Sequence, residues 1–177
     1  ILVDASSMKG MPRPVDPQMV VEIIDHRKGE PEKEFPNAKI QNELIGAAAT
    51  LVAERFMRDG KKPKPDHAKL LYGAIYHNTL NFTSFNVSDR DKNAVKYLEK
   101  EFNLNSQIAR ETFVFATREI EADVKLAIKN DAKEFGAGHT IGAYQLIVSG
   151  SGVLGQRDKL EAGVQGLFQS SGARWAF

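Results

Sequence analysis

Over roughly the first 80 residues, short β-branched apolar runs alternate with stretches whose apolar positions recur every three or four residues. That alternation of period two and period 3.6 predicts strands and helices in turn, the pattern of a mostly parallel α/β sheet. The strands expected are 1–4, 21–25 and 38–42. Between the first two, Met11-Pro12-Arg13-Pro14 breaks regular structure and Asp16-Pro17 opens a short helical turn. Leu44, Ala48, Leu51, Val52 and Phe56 predict a helix from Leu44 to Arg58 that Gly60 ends, with Lys61–Lys64 in an exposed loop. A second helix is expected from about Asp66, with Ala68, Leu71, Ile75 and Asn78 on one stripe, so that the apolar face ends in an amide.

Ser88, followed three residues later by Asp91, has the form of a capping box for a helix with the inner face Ala94, Val95, Leu98 and Phe102. Asn103-Leu104-Asn105-Ser106 interrupts it and places a domain boundary there, giving units 1–104 and 105–177. Helices are expected near 107–116 and 118–129, the latter buried through Ile120, Val124, Ala127 and Ile128. Extended segments flanking Gly136-Ala137-Gly138, the second running from Thr140 to Val148, predict a hairpin of a second sheet. A helix at 156–168 and a Ser170-Ser171-Gly172 loop follow, and no internal repeat is visible.

Composition narrows the chemistry. The 177 residues are 42% apolar and 27% charged, with a net charge of +1 and no cysteine. No stretch has the roughly 18 apolar residues a membrane helix needs. A disulfide framework, a thiolate metal site and a cysteine nucleophile are all excluded, so any metal must be held by carboxylates and imidazoles, and a cytoplasmic location is expected. The near-zero charge makes nucleic acid an unfavoured partner despite the basic run Lys61, Lys62 and Lys64. Both ends, Ile1-Leu2-Val3-Asp4 and Arg174-Trp175-Ala176-Phe177, read as strand rather than as polar tails, and an internal piece of a longer protein is expected.

In an open parallel sheet, ligands gather beyond the carboxyl ends of the strands. Asp4 and Asp25-His26 fall at two such ends and would face one crevice, and carboxylates with a neutral imidazole suit Mn²⁺ or Mg²⁺. The competing reading is a pair of cap or loop residues. Arg27 can hold a phosphate oxygen bidentately or salt-bridge to Asp4 or Asp25. Asn78 on an apolar helix face needs partners, and its neighbour His77 is either a ligand or a packed residue. Lys133 can reach a phosphate or be an ordinary solvated cation, while His67 and His139 are expected to be exposed. The chain has no Gly-x-Ser-x-Gly elbow and no Walker-type loop, and Gly136-Ala137-Gly138 lacks the following helix of a phosphate loop.

Three segments in order, Val20-Val21-Glu22-Ile23-Ile24-Asp25-His26-Arg27, Ile45-Gly46-Ala47-Ala48-Ala49-Thr50-Leu51 and Gly73-Ala74-Ile75-Tyr76-His77-Asn78-Thr79-Leu80, resemble successive motifs of the DHH phosphoesterase superfamily. Asp131-Ala132-Lys133-Glu134-Phe135 and Ile141-Gly142-Ala143-Tyr144-Gln145 are similar to its DHHA2 type of second domain. The combination resembles manganese-dependent inorganic pyrophosphatases and their exopolyphosphatase and prune-like relatives.

The resemblance implies a doubly wound, mostly parallel α/β domain carrying two metal ions, Mn²⁺ or Mg²⁺, and a smaller mixed α/β domain that closes over the phosphate. It implies that Asp4 bridges both metals, that His26 is a metal-binding histidine, that Asn78 stands where the family has a metal-binding aspartate, and that Lys133 binds substrate. The implied chemistry is hydrolysis of phosphoanhydride bonds in pyrophosphate, short polyphosphate or a nucleotide-like substrate by metal-activated water.

Arg27 departs from the second histidine of Asp-His-His, as in prune-like members, and Asn78 departs by one negative charge. The family's first strand, with its His and Asp ligands, and its C-terminal basic motif have no counterpart, so the piece alone is expected to catalyse poorly. A metal-deficient regulatory relative binding a phosphorylated ligand or a protein, and a phosphodiesterase of short oligonucleotides, are the alternatives; a homodimer is left open.

Overall fold

The computed structural model describes residues 1–8, 11, 15–136, 140–171 and 175–176, and falls into two compact units, Ile1–Ala109 and Arg110–Phe177. The Pro12–Pro14 break, the turn at residues 137–139 with His139, Gly172, Arg174 and Phe177 lie outside the described residues. Among the described residues no helix is long and apolar enough to cross a membrane.

The first unit is built on a parallel sheet of β1 (Leu2–Val3), β2 (Glu22–Asp25) and β3 (Lys39–Asn42), in the order β1-β2-β3. Val3 pairs with Ile24, and Asp25 with Asn42. Successive side chains of the central strand point to opposite faces, and both faces are covered. Ile23 packs with Val20 and Phe35 on one side, while Ile24 packs with Ile45 and Leu51 on the other. This double coverage explains why Ile23 and Ile24 are apolar in succession, although they point to opposite faces, before the strand ends in a carboxylate.

Three helices complete the unit. α1 runs Ala48–Arg58 rather than from Leu44, because residues 43–47 are drawn into an extended loop; Ala47 has φ −151° and Leu44 is exposed. Gly60, at φ +62°, ends it as expected. α2, Pro65–Asn78, buries Ala68, Tyr72, Ile75 and Tyr76. Its buried stripe therefore passes through the two tyrosines to Thr79, and Asn78 is exposed, not the polar end of an apolar face. α3, Asp89–Phe102, opens with the expected capping box between Ser88 and Asp91, buries Ala94, Val95 and Leu98, and stops where Asn103 turns left-handed at φ +52°.

α4, Ser106–Ala122, is continuous across the break expected at residue 117, since Thr117 stays helical and donates its hydroxyl back to the Phe113 carbonyl. The interruption comes instead at Asp123, whose carboxylate accepts from Leu126 N and caps α5, Val124–Asp131. β4 (Lys133–Gly136) and β5 (Thr140–Ala143) form the expected antiparallel hairpin, and β6 (Trp175–Ala176) joins β5 in parallel. The extended run stops at Ala143 rather than Val148. α6, Arg157–Ser171, closes the second unit, with Gly163 so close to Ile128 that a Cβ would lie 2.3 Å from its Cδ1.

Candidate metal centre

Asp4 and His26 meet because the strands that carry them are parallel neighbours. The Asp4 amide donates to the Ile24 carbonyl at 2.9 Å, extending the β1–β2 ladder by one step. Asp4 then turns into the left-handed region at φ +59°, an uncommon conformation for a residue with a Cβ. Its carboxylate Oδ1 comes to 3.2 Å from His26 Nε2.

His26 is oriented from behind. Its Nδ1 lies 3.0 Å from the Ile45 carbonyl, which can only accept, so Nδ1 carries the proton and Nε2 faces Asp4. Asp25 is fully buried, and its Oδ1 accepts from the His26 amide at 2.7 Å. Arg27 borders the site on the solvent side. Its Nη2 is 2.9 Å from Asp4 Oδ1 and donates to the Asp4 carbonyl at 2.5 Å, and its Nε is 3.7 Å from Asp25 Oδ1.

The electrostatics follow from these contacts. The His26 imidazole holds the Asp4 carboxyl below its ordinary range against the opposing effect of burial, with Arg27 adding to the depression. Reciprocally, Asp4 raises the His26 pKa, again against burial, with the Ile45 carbonyl contributing in the same direction.

The donor set fits a divalent cation. One ligand atom each from Asp4, Asp25 and His26 can be chosen so that all three lie within 4.8 Å of one another. Among the described residues Asp25 Oδ2 is a buried oxygen with no hydrogen-bond partner; a buried unpaired carboxylate oxygen is costly and is the kind of group a cation satisfies. Oxygen donors with one imidazole suit Mn²⁺ or Mg²⁺.

Of the residues expected from sequence, Asp4, His26 and Arg27 are brought together. Asn78, the last residue of α2, lines with Asp4 a depression of about 470 Å³. The rest of that depression is largely apolar, with Val3, Val52, Phe56 and Ala74 among its lining residues together with His67. His77 is exposed, makes other contacts, and does not line the depression. Lys133 opens β4 in the other unit, paired in register with Ala143.

The structure puts Asp25 in the donor set. Sequence reasoning sets it beside His26 in the crevice where carboxylates and an imidazole suit a cation, without singling it out as a ligand. It did not see the Ile45 carbonyl at all, since a backbone oxygen has no side-chain signature.

No family model matches the chain. The chain is similar to a Thermotoga maritima protein described as a manganese-dependent inorganic pyrophosphatase, at 27% identity over 140 residues covering 78% of this chain and 26% of that one. It is also similar to an A-adding tRNA nucleotidyltransferase of Aquifex aeolicus, 36% identical over 130 residues covering 71% of this chain and 15% of that protein. In fold it matches a family II inorganic pyrophosphatase of Methanococcus jannaschii with a TM-score of 0.68 at 23% identity, covering 87% of this chain and 54% of that structure. The chain thus spans about half that structure and smaller parts of the other two. The resemblance to the inorganic pyrophosphatase group read from the motifs is borne out in sequence and in fold.

Proposed function

We propose that this chain carries the metal-binding face of a divalent-metal-dependent phosphoanhydride hydrolase, acting on pyrophosphate or a short polyphosphate. The observation that supports the reading is the pairing of Asp4 with His26 at the ends of adjacent parallel strands, beside a buried Asp25 oxygen that lacks a partner among the described residues. The similarity to a manganese-dependent pyrophosphatase supports the choice of substrate class and of Mn²⁺ over Mg²⁺.

Asp4, Asp25 and His26 are the residues that would hold the cation, with Asn78 offering a neutral oxygen from the same depression. A divalent cation there supplies Lewis-acid stabilisation of phosphoryl oxygens and makes water more acidic. The protein's own part is to orient and to neutralise. Arg27, half-exposed beside the site, keeps donors available for a phosphate oxygen after meeting Asp4. Lys133 of the second unit is the further phosphate-binding cation in this reading.

A regulatory relative, binding phosphate with little or no catalysis, is favoured by one observation: a permanent cation already stands 2.9 Å from Asp4. Calorimetric titration with Mn²⁺ and phosphate release from pyrophosphate, compared between the wild-type chain and Asp4→Ala, tests both. Mn²⁺ binding lost in Asp4→Ala is the expected result. Equal Mn²⁺ affinity in the two proteins overturns the metal-centre reading, and tight Mn²⁺ and phosphate binding without turnover of pyrophosphate favours the regulatory one.

A further inference from the structure

Behind His26 lies a second carboxylate that never touches it. Asp91, fully buried at the start of α3, accepts from the Gly46 amide at 3.1 Å through Oδ2. The carbonyl of the same peptide unit, that of Ile45, accepts from His26 Nδ1 at 3.0 Å. A single planar group, the Ile45–Gly46 peptide, is therefore gripped at its N–H by a carboxylate and at its C=O by the imidazole.

Asp91 is itself held from three further directions. Thr50 Oγ1 donates to Oδ1 at 2.6 Å, and the Ser88 amide and hydroxyl donate to Oδ2 at 2.8 and 2.6 Å. Position 46 has no room for a side chain: a Cβ there would stand 2.6 Å from Thr79 Cγ2 and 2.9 Å from Asp91 Cγ. The glycine thus permits a close approach in which the turn after α2, the start of α3 and the loop before α1 converge on one peptide. Asn86 Nδ2 also donates to the Ile45 carbonyl, at 3.2 Å.

We propose that Asp91 is a positioning residue for His26, acting through the Ile45–Gly46 peptide to fix the Nδ1–H tautomer and to polarise the imidazole so that Nε2 is a stronger donor to a cation. Hydrogen bonds in series strengthen one another in a low-dielectric interior. A metal-bound histidine commonly leans on a carboxylate or carbonyl through its other nitrogen, and such supports matter about 10- to 100-fold in metal affinity. Here the carboxylate reaches the imidazole through a peptide rather than directly. Asp91 is a fit source for this polarisation because it stays ionised: burial pushes its pKa up, but the hydrogen bonds from Ser88, Thr50 and Gly46 outweigh that and hold it below the ordinary range.

The proposal rests on the reading of His26 as a metal ligand, and two readouts separate the two. In the metal-free chain labelled with ¹⁵N-histidine, the Nδ1–H proton of His26, assigned by its loss in His26→Gln, reports the relay directly. Asp91→Asn is expected to move that resonance upfield and to weaken Mn²⁺ binding by about tenfold in calorimetry. Thr50→Val removes a bond to the other oxygen of Asp91 and is expected to lower thermal stability while leaving both readouts as in wild type. An unmoved resonance in Asp91→Asn, or an equal change in Thr50→Val, overturns the proposal. If wild type binds no Mn²⁺, the metal reading fails, and the resonance alone decides the relay. If Asp91→Asn does not fold, Ser88→Ala decides: losing the hydroxyl donor on the Asp91 oxygen that accepts from Gly46 should move the His26 proton downfield, and no movement overturns the relay.

Discussion

The Arg27 guanidinium grips Asp4 twice, at 2.9 Å on the carboxylate and at 2.5 Å on the backbone carbonyl. One cation thus both neutralises the carboxylate and steadies the left-handed backbone that aims it. Its charge opposes a metal ion and favours a phosphate. Arg27→Ala is accordingly expected to tighten Mn²⁺ binding about fivefold, the effect of removing about 1 kcal/mol of partly screened repulsion. The same variant should weaken inorganic phosphate binding in the presence of Mn²⁺. Calorimetry with each ligand checks the two opposite signs, and parallel changes would contradict them.

Asn78 is exposed at the end of α2 and lines the depression that reaches Asp4. Restoring a carboxylate there by Asn78→Asp costs no burial and adds an anionic oxygen donor. Mn²⁺ affinity is expected to rise by about tenfold, the gain of about 1.4 kcal/mol that one additional partly screened charge contact supplies. Titration of the variant beside wild type measures it, and an unchanged affinity would remove Asn78 from the ligand set.

Asp91 should matter to folding as well as to the site. Asp91→Ala leaves the Gly46 amide, the Thr50 hydroxyl and the Ser88 amide without their acceptor and breaks the α3 capping box, for an expected loss of about 3 kcal/mol. Urea unfolding gives the number. The pH dependence has a definite sign. Because the folded carboxyl titrates below its ordinary value of 3.8, its contribution is fully present above about pH 4 and is lost as the pH falls below that. Acid unfolding followed by circular dichroism should show wild type losing its advantage over Asp91→Ala in that range.

Gly46→Ala tests the crowding itself. A Cβ at 2.6 Å from Thr79 Cγ2 and 2.9 Å from Asp91 Cγ must displace buried atoms that helix packing holds, for a cost of about 1–3 kcal/mol. Gly60→Ala is a fair comparison, since nothing lies within 4 Å and only its φ of +62° is strained, for about 1 kcal/mol. Thermal unfolding should rank Gly46→Ala as the more damaging of the two, and a reversed order would show that the loop yields.

Much of the fold was written in local pattern. β-branched runs marked β1, β2 and β3 to within a residue or two, and Ser88-x-x-Asp91 located the start of α3, because strand alternation and helix capping depend on neighbours in the chain. Helix ends were less legible where long-range contacts overrode spacing. Leu44 continues the helical period of α1, yet the residues after it are drawn out of the helix, with the Gly46 amide bound to Asp91, 45 positions away. Asn78 fits a stripe with Ile75, but Tyr72 and Tyr76 supply the larger apolar surface and turn the buried face away from it.

The same division runs through the site. Residue type and position set Asp4 and His26 at the carboxyl ends of two expected strands, but that those strands are parallel neighbours, with Val3 opposite Ile24, is decided by the tertiary structure. Which nitrogen of His26 faces Asp4, and what holds it so, depends on a backbone carbonyl at Ile45 and a carboxylate at Asp91. Ile45 falls in one of the motif segments and Asp91 in a capping box, but neither signal points to His26 Nδ1. Only folding brings them together, because hydrogen bonds are made by proximity in space and a peptide group is the same at every position along a sequence.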